Sequence, residues 1–107
     1  MHKFLNLEDM PEKEILPGFT ARFIHTNTLT IGHVRITKGS VLPQHHHVQE
    51  QVTNVISGEL QMTVGGETRI CRPGMSVTIP SNTPHAALAL TDCYVIDVFQ
   101  PSREDYK

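Results

Sequence analysis

The apolar positions of this chain fall in short runs rich in β-branched and aromatic residues, and turn residues separate one run from the next. Runs of this kind predict β-strands, and no segment of useful length repeats apolar residues with the period of a helix. The predicted strands span residues 19–26, 29–37, 51–57, 60–64, 68–72, 76–79, 85–90 and 93–100. About eight short strands at regular spacing favour an all-β sandwich or closed barrel over a parallel sheet.

Glycine and proline mark the turns between these runs. The two glycines at 65–66 allow the positive φ angles of a tight two-residue hairpin turn. The Lys-Gly pair at 38–39 and the Ser-Gly pair at 57–58 are predicted to close further hairpins. The Pro-Gly pair at 73–74 and Pro80 interrupt the ladder between strands.

The N-terminal segment, residues 1–18, lacks the strand pattern and carries two prolines. It is predicted to form an arm with at most one helical turn, around residues 6–10, capped by Asn6. Residues 19–107 are predicted to form one barrel domain, because a chain of 107 residues is near the common size of a single domain.

The charge balance excludes some partners. Nine Lys and Arg against eleven Asp and Glu give a net charge of −2, with no basic block that would neutralise a phosphate backbone, so nucleic acid is not expected. The first residues lack the continuous apolar run of a signal peptide or membrane span, which favours a soluble, cytoplasmic protein with no membrane partner. Cys71 and Cys93 do not have the spacing of a disulfide framework or a CxxC site, and are predicted to be small buried apolar residues.

Histidine is the unusual part of the composition, with seven in 107 residues. In an extended strand, His45 and His47 point to one face and His46 points to the other. Gln51 has the same parity as His47 if the strand continues, so its amide oxygen would reach the same point. His85 follows a proline at the start of an apolar strand, which makes it the candidate for a fourth ligand.

These four side chains predict a site for one divalent metal ion, and manganese, iron, cobalt, nickel and zinc all suit it. A tag remnant or a solvated patch is the alternative interpretation of the His-rich run. Against that alternative, the run lies inside the chain and is flanked by strand signals. His2, His25 and His33 have no ligand spacing, and structural roles are predicted for them.

Two motifs in this sequence closely resemble those of the cupin superfamily. The first is Gly39-x5-His45-x-His47-x3-Gln51-x6-Gly58, and the second is Gly74-x5-Pro80-x-Asn82-x2-His85. With the strands between and around them, the resemblance covers about residues 29–100. It implies a jelly-roll barrel of the double-stranded β-helix type with six to eight strands, a metal ion inside the open mouth, and a homodimer.

The sequence departs from the cupin pattern at three positions. Many cupins have Glu in place of Gln51, Gly in place of Asn82 and Asn in place of Ala89. Asn82 matters little, because Asn tolerates the left-handed backbone that Gly supplies. A neutral Gln51 leaves the full charge on the metal, which strengthens a Lewis acid and argues against an oxygenase. Glu50 is not expected to replace it, since strand alternation points Glu50 to the opposite face.

The C-terminal tail, residues 97–106, resembles that of the pectin-degradation cupins that linearise 4,5-unsaturated monouronates. Those proteins carry the same neutral set of three His and one Gln. By this resemblance, Asp97 is the catalytic acid or base, Phe99 packs against the sugar ring, and Arg103 binds the substrate carboxylate. The chemistry agrees, because a metal ion polarises an oxygen, an Asp moves a proton, and an Arg presents a planar fork to a carboxylate.

The orientation of Asp97 stays open in the sequence. A strict two-residue turn at residues 91–92 would pair Ala86 with Asp97 and turn Asp97 away from His85. A bulge or a longer loop would restore the shared face. Alternation with Val95 and Phe99 favours an interior position for Asp97.

Three functions are compatible with these residues. The first is a metal-assisted lyase or isomerase that acts on a small uronate or keto-sugar acid, with ring opening of unsaturated monouronates as the specific case. The second is a metal-dependent dioxygenase that acts on a small organic substrate. The third is a non-catalytic cupin that binds a small molecule.

Overall fold

The computed structural model describes residues 2–107, which form two antiparallel sheets packed face to face as a jelly-roll barrel. Short 3-10 turns lie at Leu7–Asp9 and Glu104–Tyr106. The ten strands, β1 to β10 in chain order, are Lys13–Leu16, Phe19–His25, Thr30–Ile36, Val41–His45, Glu50–Ser57, Leu60–Val64, Glu67–Cys71, Ser76–Ile79, His85–Ala89 and Cys93–Gln100. None of the helices among these residues is long and apolar enough to cross a membrane.

The chain alternates between the two sheets rather than completing one before the other. The six-stranded sheet has the order β1-β2-β3-β10-β5-β8, and the four-stranded sheet has the order β4-β9-β6-β7. Strand β10 therefore lies between β3 and β5, whereas β9 lies between β4 and β6 in the facing sheet. This exchange of strands places the ends of β4, β5, β9 and β10 around one cavity.

All eight strand predictions are confirmed, and the all-β barrel with them. Two strands were not predicted. Strand β4 carries Pro43 in its middle, which a central strand does not tolerate, but β4 lies at the edge of its sheet, where proline is accepted. Strand β1 pairs with β2 and directs Ile15 and Leu16 toward the core, inside the segment predicted to be an N-terminal arm. The helical turn is confirmed, with the Asn6 side chain accepting from the backbone N–H of Glu8 at 3.1 Å.

Of the three predicted hairpin turns, one is confirmed and two are not. Gly65 and Gly66, with φ of 55° and 86°, join β6 to β7 as predicted. The pairs at 38–39 and 57–58 do not close hairpins, because they carry the chain from one sheet to the other. Gly58 still needs to be glycine, since a Cβ there would lie 2.1 Å from the carbonyl oxygen of Asp92.

The core lies between the inner faces of the two sheets. Alternate residues of each strand point inward, so that Phe19, Ala21 and Phe23 of β2 face Leu60 and Met62 of β6 across the barrel. Cys71 and Cys93 are buried and unpaired, as predicted. At one end of the barrel the apolar filling gives way to polar side chains, and these form the candidate site.

Candidate metal centre and active site

Three histidines meet at the open end of the barrel. His45 ends β4 and pairs in the ladder with His85, which begins β9. His47 follows in the connection to β5, and its ring centroid is 5.6 Å from that of His45 and 4.9 Å from that of His85. One ligand nitrogen from each ring lies within 4.8 Å of the others, so the three can hold one metal ion.

Sequence parity placed Gln51 beside His47 on the condition that the strand continues between them. This condition is not met, because β4 ends at His45 and β5 starts only at Glu50. His47 therefore reaches the cluster from the irregular connection between β4 and β5 rather than by strand parity. Gln51 points inward because it occupies an inward position of β5, and His46 is exposed, as expected.

Each imidazole is oriented by a backbone carbonyl two residues away. The Nδ1 atoms of His45, His47 and His85 lie 3.0, 2.9 and 2.8 Å from the carbonyl oxygens of Pro43, Gln49 and Thr83. A carbonyl only accepts, so each Nδ1 carries the proton and donates it. The three Nε2 lone pairs are therefore left for a metal ion, which is the usual arrangement of metal-binding histidines.

Gln51 adds an oxygen to the same point. Its Oε1 lies 3.0 Å from Nε2 of His47, and both atoms are acceptors when the imidazole is neutral. Two lone pairs at this distance repel each other unless a positive charge lies between them. The structure therefore fits a cation bound by three imidazole nitrogens and one amide oxygen.

Burial supports the same conclusion. Nε2 of His85 is buried without a hydrogen-bond partner, and it is the only such side-chain atom among residues 2–107. Burial lowers the pKa of His85, and burial followed by the charge of Arg103 lowers the pKa of His47. Both rings are therefore neutral at neutral pH, as metal ligands must be.

Asp97 lines the same cavity from the six-stranded sheet, which faces His45 and His85 and also carries Gln51. On β10 it pairs directly with Thr53 of β5, and the hydroxyl of Thr53 donates to Oδ1 of Asp97 at 2.7 Å. The concern about the turn at residues 91–92 rested on a β9–β10 hairpin, which does not exist. Because β9 and β10 belong to facing sheets, Asp97 and His85 both point into the barrel.

The pKa of Asp97 is raised from its ordinary value of 3.8 to about 6, chiefly because burial penalises the charged carboxylate. Hydrogen bonds from Thr53 and Gln51 and the charge of Arg103 oppose the rise. A carboxyl with a pKa in this range can both accept and return a proton near neutral pH.

Arg103 forms the third part of the cavity wall. Its guanidinium lies 4.8 Å from the centroid of the Phe99 ring and 4.2 Å from that of Tyr106, and its side chain is 10% exposed. Nε and Nη2 donate to the carboxylate of Asp105 at 3.0 and 2.8 Å. Asp105 thus occupies the side edge of the guanidinium and leaves the terminal edge, with its parallel N–H donors, available to a second carboxylate.

The structure brings the predicted site residues together. The cavity is lined by His45, Gln51, His85, Asp97, Phe99 and Arg103, and His47 contacts His85 and Gln51 beside it. Sequence reasoning missed Thr53, Asp105 and Tyr106. Thr53 had a readable signal, because it is two residues from Gln51 and therefore shares its inward face. Asp105 and Tyr106 had none, since the tail folds back through turns with no strand period.

Comparison with known proteins agrees with the fold and with these motifs. The cupin domain family matches residues 32–99. The pectin degradation protein KdgF of Dickeya dadantii is 27% identical over 109 residues, covering 99% of each chain. The structure of KdgF from Halomonas sp. superposes with a TM-score of 0.94 at 30% identity, covering 100% of both chains. An RmlC-like cupin from Shewanella frigidimarina gives the same TM-score at 27% identity, covering 100% of this chain and 97% of the other. The chain belongs to the cupin family.

Proposed function

We propose that this protein is a metal-assisted lyase or isomerase that opens the ring of 4,5-unsaturated monouronates. The observation that carries the proposal is one cavity lined by three of the candidate metal ligands, His45, Gln51 and His85, together with Asp97 and Arg103, with the fourth ligand, His47, beside them. The similarity over full length to two proteins named KdgF, one of them a pectin degradation protein, supports the substrate class.

Ring opening of such a sugar is an isomerisation. The bond between the anomeric carbon and the ring oxygen breaks, and the anomeric hydroxyl loses its proton and becomes an aldehyde. The ring oxygen leaves with the electron pair of that bond as an enolate, which becomes a ketone by taking a proton at the neighbouring alkene carbon. One proton leaves an oxygen and one arrives at a carbon, so a single acid-base group can serve both transfers.

Asp97 is suited to carry out both proton transfers. Oδ1 is engaged by Thr53, so Oδ2 is the oxygen that exchanges a proton with the substrate. Its pKa of about 6 allows it to take the proton from the anomeric hydroxyl and return it to the alkene carbon. The three histidines and Gln51 would hold a divalent ion, which would supply the Lewis acidity that polarises a substrate oxygen.

Arg103 anchors the substrate carboxylate through the free terminal edge of its guanidinium. The side edge is held by Asp105, and the rings of Phe99 and Tyr106 pack against the guanidinium with centroids at 4.8 and 4.2 Å, so the group is fixed before substrate arrives. A prefixed donor pair costs little ordering entropy when the carboxylate binds. Phe99 also offers an apolar wall to the sugar ring.

The direct test is an assay of ring opening. Metal-loaded protein should speed the loss of the enol-ether absorbance of an unsaturated monouronate above its spontaneous rate, with no uptake of oxygen. Metal-free protein is the matched control. Absence of any acceleration at full metal occupancy would contradict the proposal, and oxygen uptake with an organic substrate would favour a dioxygenase instead.

We also propose that two copies associate through the outer face of the six-stranded sheet. Ile24, Ile31, Val98 and Val52 stand opposite one another in register across four adjacent strands and form an apolar row on that face. Light scattering should give the mass of a dimer, and Ile31→Lys should give that of a monomer. A monomeric parent protein at micromolar concentration would contradict this.

A further inference from the structure

Thr53 lies between the metal site and the candidate acid-base group. It is 2% exposed, its Oγ1 accepts from Nε2 of Gln51 at 2.9 Å, and its hydroxyl donates to Oδ1 of Asp97 at 2.7 Å. We propose that Thr53 is a positioning residue that fixes the amide of Gln51 with its oxygen toward the histidines. This inference rests on the metal site of the proposed function but not on its substrate.

The strand register explains why Thr53 can make both contacts. Thr53 follows Gln51 by two residues on β5, so both side chains point inward. Thr53 also stands directly opposite Asp97 on β10, and Gln51 stands opposite Phe99. The hydroxyl is thus held beside both partners by backbone hydrogen bonds rather than by its own rotamer alone.

The direction of the hydrogen bonds determines which end of the amide faces the metal site. A hydroxyl has one proton, and a carboxylate can only accept. The Thr53 proton therefore goes to Asp97, which leaves a lone pair of Oγ1 for an N–H donor from Gln51. With Nε2 held in this way, Oε1 must point toward His47, as observed.

If the hydrogen bonds ran in the reverse direction, Gln51 would no longer present its oxygen to the metal site. It requires a proton on Asp97 that donates to Thr53, so that Thr53 donates to Oε1 of Gln51. The amide nitrogen would then face the histidines, and an amide N–H donor cannot bind a cation. The observed bonds run the other way, from Nε2 of Gln51 to Thr53 and from Thr53 to Asp97, and they keep Oε1 toward His47.

The test compares the metal affinity of two variants of similar size. Thr53→Val keeps the branched shape and removes the hydroxyl, whereas Thr53→Ser keeps the hydroxyl. Isothermal titration of metal-free protein with Ni²⁺ should show binding about 10- to 100-fold weaker for Thr53→Val, the usual cost of removing the hydrogen-bond partner of a metal ligand. Thr53→Ser should bind Ni²⁺ nearly as tightly as the parent protein.

Two controls separate positioning from general damage. Thr63→Val removes a hydroxyl that bonds to Thr68 on the outer side of the other sheet, and should leave Ni²⁺ affinity unchanged. In a Gln51→Ala background, Thr53→Val should cause no further loss, because the ligand through which it acts is gone. If Thr53→Val does not fold, Thr53→Ala against Thr53→Ser provides the same comparison.

Three results would overturn the inference. These are unchanged affinity in Thr53→Val, an equal loss in Thr53→Ser, or a full additional loss in the Gln51→Ala background. Failure of the parent protein to bind Ni²⁺ would instead remove the metal site itself, and with it the proposed function. A parent protein that binds Ni²⁺ but does not open uronates leaves this inference standing.

Discussion

The two walls of the cavity are built in different ways. On the histidine wall, each imidazole is oriented by a carbonyl only two residues away in the sequence. On the opposite wall, the groups are oriented from far along the chain. Asp97 is held by Thr53, 44 residues away, and the backbone N–H of Arg103 donates to the hydroxyl of Thr30, 73 residues away.

The two walls therefore depend on different parts of the fold for the orientation of their side chains. The histidine wall needs only that β4 and β9 pair, because its ring orientations are local. The Asp97–Arg103 wall needs β10 seated between β3 and β5, and the tail folded back over the sheet. Substitutions should therefore separate into those that remove the metal and those that remove chemistry while the metal stays bound.

The largest effect is expected from His85→Ala. His85 is buried and its Nε2 has no protein partner, so its removal takes away a ligand that no neighbour replaces. Metal affinity should fall by more than the ~100-fold typical of losing an outer hydrogen-bond partner, and turnover should be lost with it. His46→Ala, at an exposed neighbour of the other ligands, should retain both by titration and assay.

Asp97→Asn should separate the two walls most cleanly. The variant keeps His45, His47, His85 and Gln51, so metal at saturating concentration should stay bound, but Asn cannot take up a proton. Loss of an acid-base group costs about 10²- to 10⁴-fold in rate. Steady-state assays on metal-loaded protein measure this loss, and undiminished turnover would remove Asp97 from the mechanism.

A smaller effect is expected from Arg103→Lys. The variant keeps the positive charge but loses the planar donor pair and its contacts with Phe99 and Tyr106. A hydrogen bond to a charged group contributes about 1.5–3 kcal/mol, so KM should rise about 10- to 100-fold with less change in kcat. Arg69→Lys, at an exposed ion pair, is the control and should leave KM unchanged. A 10- to 100-fold fall in kcat with an unchanged KM would contradict the anchoring role.

The smallest effect concerns stability and pH. The folded-state pKa of Asp97 is raised from 3.8 to about 6, so the folded protein binds this proton more tightly than the unfolded chain. The stability that Asp97 contributes is full below pH 3.8 and is lost as the pH rises through about 6. Metal-free Asp97→Asn should therefore be more stable than the parent protein at pH 8, by on the order of 1–3 kcal/mol, because Asn avoids burying a charge.

Urea unfolding of both metal-free proteins at pH 4 and pH 8 measures this difference. The gap between them should shrink toward pH 4, where Asp97 is protonated in the folded state. A gap that is the same at both pH values would show that Asp97 is not charged at a cost in the folded protein.

The histidine wall could be predicted from the sequence because its ligands are specified by spacing and alternation over a few neighbouring residues. Strand alternation separated His46 from its neighbours, and a ligand spacing survives even when the strand assumed beneath it is broken at residues 46–49. Asn82 behaves in the same way. Its φ of 60° is the left-handed conformation that the motif required, and its side chain type was sufficient to indicate it.

The other wall depends on partners that a local pattern does not specify. The strand run at 93–100 was clear, but nothing in it shows that β10 pairs with β3 and β5 rather than with β9. The Lys-Gly and Ser-Gly turns look the same whether they close a hairpin or cross between sheets. Asp105 reaches Arg103 through the geometry of a tail turn, which side-chain periodicity does not encode.

Anomalous diffraction from a crystal of the metal-loaded protein tests the central claim most directly. One peak is expected at about 2.0–2.3 Å from Nε2 of His45, His47 and His85 and from Oε1 of Gln51, within the cavity that Asp97 and Arg103 also line. A peak bound through other residues, or no peak in protein shown to contain metal, would contradict the account.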